Sequence, residues 1–132
     1  MKIAAITLGA ILLIGIAIAF FGTSDEMDVT RTLIQGKWVS TQDAKFTREF
    51  TAEGKLIDSY DGSAQDTGNW TLFTKEMPPE GFTGTLEEGP IYLAIGFTET
   101  PPLYFKVAKI DENSLELVYL DRGNTLSFTR MK

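Results

Sequence analysis

From residue 36 to the end of the chain, apolar and polar residues alternate in short runs, each closed by residues that favour turns. This period-two pattern is the strongest constraint on the fold. A strand sends successive side chains to opposite faces, whereas a helix of 3.6-residue period cannot sort such a pattern onto one side. Eight runs are legible: 36–42 (GKWVSTQ), 45–51 (KFTREFT), 55–60 (KLIDSY), 67–74 (TGNWTLFT), 91–97 (IYLAIGF), 103–110 (LYFKVAKI), 115–120 (LELVYL) and 125–131 (TLSFTRM). Ala52-Glu53-Gly54, Asp61-Gly62, Asp111-Glu112-Asn113 and Asp121-Arg122-Gly123-Asn124 supply tight turns, and Thr100-Pro101-Pro102 breaks the fifth run. The connection 75–90, with Pro78-Pro79, Gly81, Phe82, Gly84, Gly89 and Pro90, is longer and reads as an ordered lid, a partner-binding tip or a simple surface excursion.

Short strands joined in sequence order by tight turns imply an antiparallel meander. Eight of them in about 100 residues fit an up-and-down barrel, whose closure removes exposed edges. Alternation assigns an inner face to Gly36, Trp38 and Ser40; Phe46, Arg48 and Phe50; Trp70 and Leu72; Leu93, Ile95 and Phe97; Phe105 and Val107; Leu115, Leu117 and Tyr119; and Leu126, Phe128 and Arg130. So aromatic a list either fills a small barrel or lines a ligand cavity.

Residues 3–22, IAAITLGAILLIGIAIAFFG, carry no charge. As a helix at about 1.5 Å per residue they span roughly 30 Å, the thickness of the hydrocarbon core of a bilayer. Lys2 before them and the acidic Asp25-Glu26-Met27-Asp28 after them predict an N-in, C-out transmembrane signal-anchor over 1–24. Ala17-Ile18-Ala19 offers the competing reading, a cleaved signal peptide and a secreted domain. Ala5-x-x-x-Gly9 and Gly15-x-x-x-Ala19 are small-residue pairs of a kind common in such helices. The polar residues 25–32 read as a linker, with one helical turn over Arg31–Ile34, before a domain covering 33–132.

With 12 Lys and Arg against 18 Asp and Glu, the chain carries a net charge of −6, a poor match for nucleic acid. No Cys is present, so compactness rests on the core rather than on disulfides. The absence of His and Cys excludes Ser-His and Cys-His nucleophilic sites and any His- or thiolate-ligated zinc. Carboxylate chemistry remains open through Glu87-Glu88 or Asp58 with Asp61, though adjacent acids on a loop are ordinarily solvated. The stretch DSYDGSAQD lacks the spacing of a calcium loop, and the sequon Asn69-Trp70-Thr71 falls mid-strand. No cofactor, metal site or catalytic residue is expected.

Gly36-Lys37-Trp38 opening the first run and Phe128-Thr129-Arg130 closing the last resemble the lipocalin pattern. The hairpin REFTAEGKLIDS, the strand TGNWTL and the late hairpin KVAKIDENSLELVYL are similar to those of small bacterial lipocalin-like domains, over roughly residues 33–131. The resemblance implies that Gly36, Trp38 and Arg130 close one end of the barrel, with the guanidinium across the indole. A contact of that kind is worth about 0.5–2 kcal/mol. The chain lacks the disulfide of the animal proteins and their helix after the barrel, so ligand transport is not carried over.

The expected function is that of an extracytoplasmic binding module, held to the membrane through residues 3–22, for a small apolar or amphipathic ligand or a cell-envelope protein. The ligand-binding candidates are Arg48, Tyr60, Trp70, Phe97 and Tyr119. Arg48 stands between Phe46 and Phe50 and needs an acceptor: a ligand carboxylate, Asp58, or solvent reached through a bulge. The alternative is a structural or assembly role in a membrane complex, with a filled barrel and no ligand.

Overall fold

The structure, a computed structural model of the chain, describes residues 24–131. One helix, α1 (Ser24–Ile34), precedes eight strands: β1 (Gly36–Ser40), β2 (Phe46–Phe50), β3 (Lys55–Tyr60), β4 (Ser63–Phe73), β5 (Tyr92–Phe97), β6 (Leu103–Ile110), β7 (Ser114–Tyr119) and β8 (Thr125–Arg130). Each strand pairs antiparallel with its sequence neighbours, and β8 returns to β1 through Trp38↔Arg130, Val39↔Thr129 and Ser40↔Phe128. The sheet is a closed eight-stranded barrel, as the alternation predicts. The transmembrane helix expected over residues 3–22 lies outside the described residues. Among those described, no helix is long and apolar enough to cross a membrane.

The up-and-down order distributes the connections between two ends. The helix end carries α1, the β2–β3 and β6–β7 turns and the start of the β4–β5 connection; the rim carries the four remaining loops. Between them, Trp38, Phe50, Leu56, Trp70, Leu72, Leu93, Ile95, Phe105, Val107, Leu115, Leu117 and Phe128 form one continuous buried cluster inside the barrel.

The segment read as a linker is instead helical. Asp25 and Glu26 in its first turn and Arg31 in its last complement the helix dipole, and Asp28 pairs with Arg31 at 3.1 Å on the exposed side. Met27, Thr30 and Ile34 recur at spacings of three and four and turn inward; Thr30 and Ile34 are fully buried. So short a stripe within a charged sequence is easily taken for linker, because packing on the barrel rather than intrinsic helicity decides it.

The fourth strand also begins earlier than its apolar pattern indicates, at Ser63 rather than at residue 67. Asp61 (φ 54°) and Gly62 (φ 86°) are both left-handed, the conformation of a two-residue type I′ hairpin, and Tyr60 pairs directly with Ser63. Turn geometry and backbone pairing therefore extend the ladder through residues 63–67, which are exposed and lie beyond the end of the β4–β5 pairing at Gly68↔Phe97. A bulge between Asp58 and Ser59 adjusts the register there.

At Gly68 a Cβ atom would stand 2.2 Å from the Gly96 carbonyl oxygen across the β4–β5 pair. Gly68→Ala therefore has to push the two strands apart, and the expected loss is that of an overpacked core site, about 1–3 kcal/mol. A lowered denaturant midpoint at unchanged m-value would show it; an unchanged midpoint would mean the strands separate freely.

A candidate binding groove at the rim

The five residues expected to bind a ligand do not converge. Arg48 lies inside the barrel, 5% exposed, and donates from Nε to Asp58 Oδ1 at 2.8 Å and from Nη2 to Asp58 Oδ2 at 2.9 Å. The register explains the pairing, since Arg48 stands directly opposite Asp58 on adjacent strands. The rings of Phe46 and Phe128 flank the guanidinium with centroids at 5.5 and 5.8 Å. A ligand carboxylate would have to displace Asp58 or use Nη1, the one side-chain nitrogen of Arg48 that is buried without a partner. Trp70 is at the other end, donating from Nε1 to the Thr51 carbonyl at 3.0 Å and meeting Phe50 edge-on with centroids 5.6 Å apart. Phe97 packs on the core beside Gly68.

Tyr60 is 42% exposed at the rim, where a hydrogen bond to Asp43 and the charge of that carboxylate raise its pKa above the ordinary tyrosine value. The raised value means that the stability gained from the contact is present below the unfolded pKa and is lost as pH rises through the folded one. Asp43→Asn should shift the alkaline rise in tyrosinate absorbance to lower pH, with no change at neutral pH. An unmoved titration would separate Tyr60 from Asp43.

Trp38, Gly36 and Arg130 meet at the helix end. The Arg130 guanidinium lies over the indole at 4.1 Å, and it donates to the carbonyls of Leu33, of Gln35 (2.8 Å) and of Glu112 (2.6 Å). Trp38 Nε1 donates to the Ile34 carbonyl at 2.8 Å. Together the two side chains engage carbonyls that the end of α1 leaves without intrahelical partners. Gly36 is required twice over: its φ is +121°, and a Cβ there would come within 2.7 Å of Arg130 Nη1. Desolvation lowers the Arg130 pKa, which Glu112 and Asp111 partly offset, and the group stays cationic at physiological pH.

The one candidate residue that opens onto a groove is Tyr119. The long connection folds as a strap over the outer face of β4, β5 and β6. Phe73, Tyr92 and Ala94 form a second buried cluster there with Leu86, Tyr104 and Leu120 against it. Phe82 binds the strap to this cluster, with its ring 4.8 Å from that of Tyr104 and 5.8 Å from that of Phe73. The Glu87 amide donates to the Tyr92 hydroxyl at 2.9 Å. Gly84 lies against the Phe82 ring, where a Cβ would come within 2.7 Å of it.

Between the strap and the β5–β6 and β7–β8 loops lies a half-open groove of about 630 Å³. Leu103 and Tyr119 reach it from the inner face of the barrel, and Tyr104 and Phe82 from the outer face. Thr83, Thr85 and Thr100 add hydroxyls, Pro101 and Pro102 a stiff wall, and Asp121 the one charged side chain in the lining. Sequence reading singled out the strap and Tyr119, but it gave no means of bringing Pro101, Tyr104 and Asp121 to them. That juxtaposition depends on which outer face the strap covers.

No family model, curated protein or solved structure matches the chain.

Two oppositely faced environments thus define what the domain can do. The interior is apolar, and Arg48 engages both carboxylate oxygens of Asp58 there. The rim groove is accessible, aromatic and edged with oxygen acceptors. The Glu76 and Glu88 carboxyls approach each other at the base of the strap, where hydrogen bonds from its own backbone, from Glu88 and from Thr74 lower the Glu76 pKa. Both are solvent-facing, and among the described residues no three His, Cys, Asp or Glu side chains gather to hold a metal ion.

Proposed function

We propose that this chain is a membrane-anchored, extracytoplasmic binding module of lipocalin-like architecture that engages its partner at the rim groove and carries no ligand inside the barrel. The observation that carries the reading is the buried aromatic interior. Phe50, Trp70, Phe105 and Phe128 occupy the volume in which a carrier would hold its cargo, and the one buried cation already has a carboxylate. Ligand pockets of the carrier kind are concave and enclose most of the ligand surface. An accessible concavity lies instead between the strap and the rim loops.

Lipocalin-like kinship is supported by the order of motifs in the sequence, by the closed barrel and by the stacking of Arg130 on Trp38. Anchoring is supported by the uncharged run 3–22, after which α1 begins at Ser24. α1 packs at the opposite end from the groove loops, so an anchor leading into it would present the groove away from the bilayer.

A photo-crosslinking amino acid at exposed Thr83 in the groove, compared with one at exposed Thr129 on the far side of the barrel, tests the reading in host membranes. A discrete adduct from position 83 alone is expected. Native mass spectrometry of the full chain released from detergent should show the bare protein mass. A stoichiometric small-molecule adduct that persists when Thr85→Trp fills the groove would establish an interior carrier and sink the proposal. The same filled barrel favours a second reading, a permanent structural subunit of a membrane complex, in which case the chain would leave the detergent with a fixed number of protein partners.

A further inference from the structure

Resting on the reading of the groove as the binding site, we infer that its occupant is an extended, cationic peptide segment with apolar residues beside its Arg or Lys. Three features of the groove point to this chemistry. Phe82, Tyr104 and Tyr119 line it, and aromatic rings attract a guanidinium or ammonium group, Arg most of all. Asp121 stands in the same lining as the counter-charge, and no ion pair engages it among the described residues.

The charge around the groove also has one dominant sign. Glu80 and Glu99, both exposed, adjoin the lining residues Gly81 and Thr100 in sequence, and exposed Asp43, Asp61 and Asp66 lie on or beside the other rim connections. Against them stand Lys45, Arg122 beside Asp121 on the same loop, and Lys106, which is 4.0 Å from Glu87 of the strap. Such a field concentrates a basic partner and repels an acidic one.

The form of the groove selects a chain rather than a small cation. It is only half enclosed, so it leaves part of its occupant in solvent, and it lies between two loops and a strap. Proline at positions 101 and 102 stiffens one wall, so the groove is held ready for a segment that arrives extended. The aliphatic stem of Arg or Lys would lie against the aromatic rings while its head reaches Asp121.

The test uses the full chain in nonionic detergent micelles and three probes. One is a twelve-residue Leu-, Pro- and Arg-containing peptide bearing a neutral fluorophore. The second is its twin with citrulline, a neutral isostere, at every Arg. The third is the methyl ester of arginine as a small competitor. Fluorescence anisotropy should show the arginine peptide binding about tenfold more tightly than the citrulline peptide, the loss expected for one desolvated cation–π contact with its counter-charge. Asp121→Asn, an isosteric change at an exposed site, should weaken the arginine peptide about two- to fivefold and leave the citrulline peptide unchanged. Thr85→Trp should abolish binding of both.

Equal affinity for the two peptides, lost for both in Thr85→Trp, would overturn the cationic assignment and leave the groove intact as a binding site. Arginine-peptide binding that survives both substitutions and vanishes only with salt would be diffuse attraction and would overturn the inference. Competition by the arginine ester at the concentration of the peptide itself would assign the site to a small cation and overturn the peptide. Binding by neither peptide would also overturn it, while the adduct at position 83 independently decides whether the groove binds anything.

Discussion

Replacing Trp38 by alanine should lower the free energy of unfolding by about 3–5 kcal/mol, the range for removing a fully buried large aromatic side chain. Trp38 is 0% exposed and does three things at once. It fills the helix end of the barrel, it supports the Arg130 guanidinium at 4.1 Å, and its indole nitrogen donates to the Ile34 carbonyl at 2.8 Å. Its removal leaves a cavity, an unsupported cation and a buried carbonyl without a donor, so the upper part of the range is expected. Arg130→Ala should cost less, because the group is only partly buried and water can reach the released carbonyls of Leu33, Gln35 and Glu112. Arg130→Lys should recover little of that loss, since an ammonium cannot span three carbonyls and a ring face together. Urea denaturation followed by circular dichroism measures all three, and the double variant should lose less than the sum of the singles. Neutral effects at both positions would mean that the helix end is held by something else.

The coupling between these two residues shows what kind of information the sequence carries. Trp38 and Arg130 are legible as a pair through the resemblance to lipocalin-like domains, and closure of the meander brings the first strand against the last. Alternation orients the residues it assigns to the barrel interior, since a side chain on a half-buried strand has only two directions to choose from, but it does not foresee Phe73, Tyr92 and Ala94, which are buried on the outer face. It fails where backbone geometry or distant packing decides. Residues 63–67 are strand because Asp61-Gly62 sets the register of a hairpin, although their side chains show no apolar period. Residues 24–34 are helix because Met27, Thr30 and Ile34 find the end of the barrel, a surface that exists only once the barrel has closed. The groove was least legible of all. Phe82, Pro101, Tyr104 and Asp121 lie on three connections and one strand end, and only the lateral fold of the strap unites them.

Arg48 and Asp58 provide the second large effect, and they separate a structural ion pair from a ligand anchor. Both are at least nine-tenths buried, at 5% and 6% exposure, and the bond between them is bidentate. Removing either partner leaves a charge in an apolar interior, so Arg48→Met alone and Asp58→Leu alone should each destabilise the domain by about 3–5 kcal/mol. The double substitution removes both charges together. Because two ions give up much of their mutual attraction in desolvation, replacement of the whole pair by apolar side chains of similar volume is often neutral or favourable. The double variant should therefore recover most of the loss, and a cycle of the four proteins should return a coupling of several kcal/mol, beyond what neighbouring but independent core sites show. Arg48 Nη1 adds to the expected recovery, because the pairing with Asp58 leaves it buried without an acceptor and the double variant removes it altogether. An anchor for cargo would behave differently. If Arg48 bound a ligand carboxylate in preference to Asp58, Asp58→Leu would be tolerated in protein drawn from its native membrane. Stability would then rise with added amphipathic acid, and fall for Arg48→Met whether or not Asp58 had been replaced. Recovery in the double variant, with no response to such acids, is the outcome that a filled barrel requires.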